Sequence, residues 1–176
     1  MEAEALKDRN LQQKIWDLIK NQHVATLVTI NQDGTLDSRP MGCLQNTFDG
    51  TLWFMTFEDS PKISEVCQNQ QVLVSYVLKG HEFVSISGRG RVVDDRVKIR
   101  ALWREGFRVW FPDGPTSSNI ALIAVDVETA EYWINPTSLI TYAYYYVRMR
   151  LTGKSPSPSQ IVEHAVVRFS QPDAAA

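Results

Sequence analysis

Along the first twenty positions apolar residues recur at helical spacing. Leu11, Ile15, Leu18 and Ile19 share one stripe with Lys, Gln and Asp between them, which predicts an amphipathic helix from Ala3 to Asn21. From His23 the pattern changes: HVATLVTI, His23 to Ile30, is rich in β-branched residues and predicts a strand. Asn31-Gln32-Asp33-Gly34 supplies a hairpin turn, and a second strand follows over about Thr35 to Gln45. Asp49-Gly50 turns the chain into a third strand, Leu52 to Phe57, whose apolar run has the composition of a largely buried strand. A helix is expected over Ser60 to Asn69.

Strands then follow at Gln71 to Leu78 and at Glu82 to Val93, joined at Lys79-Gly80. Gly88 and Gly90 inside the second of these fit a barrel corner or a close backbone approach. Asp94 or Asp95 caps a helix to about Arg104, with Val97, Ala101 and Leu102 expected to face inward. Phe107, Trp110 and Phe111 lead into a Pro112-Asp113-Gly114-Pro115 loop; they are read either as satellite core or as the wall of a ligand pocket. A sixth strand is expected at Ile120 to Val127 and a short seventh around Glu131-Tyr132-Trp133. A second amphipathic helix is expected from Thr137 to about Thr152, with Leu139, Ala143, Tyr146, Val147 and Met149 on one side and Gly153 as its C-cap. Residues 1–153 thus read as a single domain. Residues 154–176 read as a flexible extension, with a possible short strand at EHAVVRFS and a disordered tail from Gln171.

Composition narrows the class. In 176 residues, 44% hydrophobic and 22% charged residues with a formal net charge of −2 describe an ordinary soluble globule. That balance argues against a nucleic-acid or membrane-surface partner. Cys43 and Cys67 make neither a disulfide framework nor a metal site, and read as buried thiols of a reducing compartment. No basic-then-apolar leader pattern opens the chain, and Leu139 to Val147 is too short to span a bilayer, so a soluble, cytoplasmic protein is expected.

One local misfit points to chemistry. Ser60 suits a helix N-cap and Pro61 the first helical position. Lys62 then places a cation where the helix dipole disfavours it by about 0.3–1 kcal/mol. A bound anion reverses the sign, because free amides, the Ser60 hydroxyl and the Lys62 ammonium would converge on one phosphate. The plain alternative is that Lys62 snorkels into water. In the second strand Pro40 cannot donate to a ladder, which implies an edge, a bulge or a free side there. Arg39 beside it is either a solvated residue or a planar donor for a phosphate.

Hairpin-joined strands with few helices predict a mainly β, α+β architecture: an antiparallel barrel of six or seven strands. The stretches VATLVTINQDGTLDSRPM, LWFMTFEDSPKISEV, VSISGRGRVVDD, the WFPDGP loop and AEYW, in that order, resemble the split barrels related to pyridoxamine 5′-phosphate oxidase, above all the bacterial general stress protein branch. The resemblance implies an FMN-binding split barrel with FMN at the interface of a homodimer. It places Arg39 and Lys62 on the phosphate, with Thr56 and Ser60 as hydroxyl donors. Arg39, Pro40 and Met41, together with Met55, Thr56 and Phe57, would line the ring and ribityl chain. Trp110, Phe111 and Trp133 would approach the ring from the partner subunit.

Two departures qualify it. Pro61 stands where oxidases of the vitamin carry a second phosphate-binding arginine, and the later strands hold no basic cluster for a second phosphate. Pyridoxamine phosphate oxidation is therefore not expected, and the weaker phosphate grip leaves room for FAD. The resemblance implies a flavin-nucleotide-binding protein, either an oxidoreductase or a non-enzymatic carrier of the stress-response type; a barrel holding another anion is the third reading. Flavin supplies its own redox chemistry. His23, His81 and His164 lie far apart in the sequence and suggest no base or metal site, and no catalytic residue is assigned.

Overall fold

The computed structural model describes residues 2–44, 46–80, 82–134, 139–157 and 162–169. Its elements are α1 (Glu2–Ile19), β1 (Val24–Ile30), β2 (Leu36–Gly42), β3 (Thr51–Phe57), α2 (Pro61–Gln68), β4 (Gln71–Val77), β5 (Phe83–Val93), α3 (Arg96–Leu102), β6 (Ile120–Ile134), α4 (Leu139–Thr152) and β7 (Glu163–Arg168). Two short 3-10 turns, Glu105–Val109 and Gly114–Thr116, lie between α3 and β6. All pairings are antiparallel, in the order β2-β1-β4-β5-β6-β3, with β7 added to β6. The result is the curled sheet of a split barrel, with β2 and β3 as its two ends.

The barrel interior is filled by alternate residues. Leu27, Leu52, Phe54, Val74, Ile86, Ile123 and Val125 are at most marginally exposed, and α1 adds Ile15 and Ile19. The opposite parity of β3 and β6 is buried as well: Trp53, Leu122 and Ala124 pack with Leu44, Ile99, Phe111 and Ile120 in a second cluster. Coverage on both faces is why Leu52 to Phe57 shows no polar alternation. Pro40 lies on the end strand β2, opposite Thr26 of β1, so its missing N–H leaves the β1 ladder partner unaffected on the free side.

Cys43 and Cys67, expected to be buried thiols, are half-buried and exposed respectively, and three expectations about the elements are corrected. The sixth and seventh strands are one, Ile120–Ile134, carrying a bulge rather than a turn. Ser87 faces Thr129 while Gly88 faces Val127, so Glu128 is the extra residue; the parity switch it causes reads in sequence as a break. In α3 the buried residue is Ile99, whereas Val97 is 69% exposed. Val97 lies two residues, about 200° of helical rotation, from Ile99 and so on the opposite face. Asp95 is the cap, its carboxylate accepting from the amides of Val97 and Lys98. In α4, Ala143, Tyr146 and Val147 are exposed rather than packed on this chain. Thr137 and the tail from Gln171 lie outside the described residues. Gly153 does close α4, with positive φ and its amide on Met149. The strand expected at EHAVVRFS forms as β7, with Val167 buried.

Gly88 is required by the bulge. A Cβ there would stand 2.3 Å from the Asp126 carbonyl oxygen, and at Gly90 it would meet Val66 of α2 at 3.0 Å. Gly88→Ala is expected to destabilise the fold by about 1–3 kcal/mol through overpacking against backbone. Urea denaturation checks this; an unchanged midpoint would show that the bulge can shift.

Candidate functional site

The free ends of the sheet define the site. Pro40, Met41 and Gly42 of β2 face Met55, Thr56 and Phe57 of β3 across a cavity of about 440 Å³, within the usual size range of small-molecule sites. Val24, Leu44, Phe107, Trp110 and Phe111 complete its apolar wall, and Lys62 stands in its lining as the one titratable side chain among the described residues. The aromatic segment is held over the split. Arg104 donates to the Leu44 carbonyl at 2.8 Å and to Asn46 at 3.0 Å, tying the segment to the chain after β2. Phe111 packs on Phe57 with ring centroids 4.6 Å apart, and Trp110 is 65% exposed at the rim. Gly42 lies under Phe107, 3.9 Å from where a Cβ would be.

α2 brings the polar groups. Lys62 Nζ donates to Thr56 Oγ1 at 2.9 Å and also to Ser60 Oγ. Ser60 is the N-cap residue with extended backbone, but its hydroxyl makes no cap bond, contrary to expectation, because Lys62 engages it instead. Pro61 opens the helix, and no acidic residue occupies the first turn. Burial pushes the Lys62 pKa down, the nearby Arg39 charge lowers it further, and Glu65 acts in the opposite direction. The cation is thus held, partly desolvated, by two hydroxyls at the edge of an apolar cavity.

Arg39 is differently placed. Its Nη1 lies 2.5 Å from Glu65 Oε2 and 2.8 Å from Thr29 Oγ1, its Nη2 3.2 Å from Glu65 Oε1 and 3.1 Å from Asp37. Thr29 in turn donates to Glu65 at 2.5 Å. Arg39 is therefore not a free donor, although it remains close enough to Lys62 to depress its pKa. Glu65 is only 5% exposed. Burial raises its pKa, but the hydrogen bonds from Arg39 and Thr29 outweigh that and leave it below the usual carboxylate range.

The structure thus brings Pro40, Met41, Met55, Thr56, Phe57, Lys62, Trp110 and Phe111 together at one cavity, with Ser60 on Lys62. Arg39 and Pro61 flank it. Trp133 does not join them within this chain: it stacks on His164 at 5.1 Å in the β6–β7 pair. Sequence reading missed Thr29, Glu65, Val24, Gly42 and Leu44. Glu65 alone left a signal, as an acid three residues after Lys62 and next to the apolar Val66.

A split barrel whose parted edges enclose an apolar cavity with a partly desolvated lysine on its lining defines the class of fold. The chain belongs to the pyridoxamine 5′-phosphate oxidase-like family, whose pattern matches residues 10–157. A general stress FMN/FAD binding protein of Xanthomonas citri is 32% identical, with a TM-score of 0.64 over 74% of this chain and 93% of that one. A general stress protein 26 structure from Jannaschia sp. CCS1, 22% identical, shares the fold with a TM-score of 0.68 over 92% of this chain and 99% of that one. The Neurospora crassa protein bli-3 is 25% identical over 167 residues, 87% of this chain and 80% of its own length. Among the described residues no helix is long and apolar enough to cross a membrane.

Breaking the Arg39–Glu65 pair leaves a carboxylate buried without its counter-ion. Arg39→Ala is expected to destabilise the protein by about 3–5 kcal/mol at neutral pH. Because the paired Glu65 has a lowered pKa, its stabilisation is present above the unfolded-state value and is lost as pH falls through the lower folded value. Without Arg39, burial raises that pKa, so the deficit against wild type shrinks as pH falls through the carboxylate range. Urea melts across that range test it; a deficit independent of pH would contradict the pairing.

Proposed function

We propose that this chain binds a flavin nucleotide, FMN or FAD, with the ring in the cavity between β2 and β3 and the phosphate on Lys62, Thr56 and Ser60. The observation that carries the reading is Lys62 itself. A partly desolvated ammonium bonded to two hydroxyls beside an apolar cavity gains from an anion what burial has taken from it. Thr56 and Ser60 can turn their hydroxyls toward the same phosphate. Met41, Met55, Phe57 and Phe111 offer apolar surfaces, and Trp110 an exposed aromatic rim. The FMN/FAD binding relative in Xanthomonas citri supports the same ligand class.

When bound, the flavin supplies hydride and electron transfer. The lining residues contribute binding, orientation and exclusion of water, since among those described Lys62, with the Thr56 hydroxyl bonded to it, is the one titratable side chain. This favours either an oxidoreductase that relies on the flavin alone or a carrier that does not turn over. Oxidation of NADH by the flavin-loaded protein distinguishes the two. The working form is a cytoplasmic homodimer with the cavity at the subunit boundary. The uncovered Tyr142, Tyr146 and Val147 of α4 provide surface for the second copy, and Trp133 would reach a site only from there. Sedimentation equilibrium tests this part, and a monomer in the presence of flavin would refute it.

Charge and stacking separate in titrations followed by flavin fluorescence. Lys62→Glu is expected to weaken FMN at least about a hundredfold, two charges being changed near the phosphate, while riboflavin changes little. Trp110→Ala is expected to weaken both by about threefold to tenfold, the range of one aromatic contact. Equal loss of FMN and riboflavin in Lys62→Glu would show that Lys62 does not hold the phosphate.

A further inference from the structure

Glu65 follows Lys62 by three residues on α2 and is deeply buried. Thr29 of β1 presents only a hydroxyl to it, and β5 meets the helix with Gly90 under Val66. The charges around it are Arg39 and Asp37 of β2 and Lys62 of its own helix. Fastening β2 to α2 does not need this charge, since well-packed apolar side chains replace buried ion pairs without loss of stability in many proteins. What the carboxylate changes is the balance at Lys62: it offsets Arg39 from the buried side, while Asp37, the other partner of Arg39, is half exposed and screened by water, so among the buried groups Lys62 is left as the uncancelled charge at the cavity.

That balance matters to a phosphate. A terminal monoester carries about 1.5 to 2 negative charges at pH 7, with its second ionisation near pH 6, whereas each phosphorus of a diphosphate diester carries about one. We propose that Glu65 is a specificity-determining residue: by neutralising Arg39 it matches the anion site to a singly charged phosphate, so that a diphosphate-bearing flavin such as FAD is held as well as the monoester FMN. This rests on the flavin reading above. A second feature agrees with it. Beside α2, Asn31, Gln32, Pro61, Ser64 and Gln68 line a polar cleft of about 430 Å³ with Glu65 and with Asp33, whose carboxylate is held by the amide and hydroxyl of Thr35. The cleft gives room and amide partners to the group that follows a second phosphate.

Glu65→Gln keeps the side-chain shape and one carbonyl oxygen for Arg39 while removing one buried negative charge, leaving the guanidinium only the half-exposed Asp37 as counter-ion. Titrations with FMN, FAD and riboflavin from pH 5.5 to 8 test the assignment. In wild type the FMN to FAD affinity ratio is expected to vary by less than about threefold over that range. In Glu65→Gln, FMN is expected to gain at least about tenfold on FAD at pH 8, the gain fading toward pH 5.5 as the monoester loses its second charge. Riboflavin should be unaffected. The charge-free double variant Arg39→Met with Glu65→Met keeps the net charge and should keep the wild-type ratio; it serves also if the single variant does not fold. A wild-type ratio in Glu65→Gln, or a shifted ratio in the double variant, overturns the role of Glu65 while FMN binding stands. Failure of wild type to bind any of the three flavins overturns the flavin reading itself, and this assignment with it.

Discussion

A buried carboxylate holds the open seam of this barrel in place. Glu65 takes Arg39 in a two-point ion pair and Thr29 in a short hydrogen bond, so that end strand β2, its neighbour β1 and helix α2 share one polar junction. β2 has a hydrogen-bonded neighbour on one side only. An end strand without a second ladder gains a further tether here: packed apolar side chains would fasten it as well, but a charge pair withdrawn from solvent is costly to break on one side, because either half alone would be left buried and unpaired. With β2 tethered, Pro40 to Gly42 stand apart from Met55 to Phe57, and the first turn of α2 keeps Lys62 at the gap.

The remainder of the site follows from covering β3 and β6 on both faces. Their inner residues belong to the barrel, while their outer residues pack under α3 and the aromatic segment that follows it. That segment, fixed through Arg104 to the chain after β2, closes an apolar cavity over the seam. The polar and apolar halves of the site thus come from different parts of the sequence: α2 contributes the cation and its hydroxyls, and residues 107–111 the aromatic wall. Pro61 at the first position of α2 leaves Lys62 as the sole cation in the lining among the described residues.

Much of this was legible in sequence because it is local. The Gly34 hairpin, the position of Pro40 on an end strand, the Pro61 start of α2 and the misfit of Lys62 each depend on neighbours within a few residues. The bulge in β6 was not legible, since one extra residue, Glu128, imitates a turn by switching side-chain parity. The inward face of α3 was misread because seven residues give too few repeats to set a stripe. The partnership of Arg39 was invisible for a deeper reason: Glu65 is 26 residues away, and nothing local says that a strand and a helix will press those two side chains together. Trp133, expected to approach the site from a partner subunit, stacks on His164 within its own chain.

The central claim is that a phosphate bound by Lys62 anchors a flavin in the seam. It is tested most directly by incubating the purified chain with FMN or with riboflavin, desalting each sample, and recording the visible absorption of the protein fraction. The account predicts flavin absorbance near one equivalent per chain retained with FMN and little with riboflavin. Colourless protein from both samples, or equal retention of the two, would contradict it.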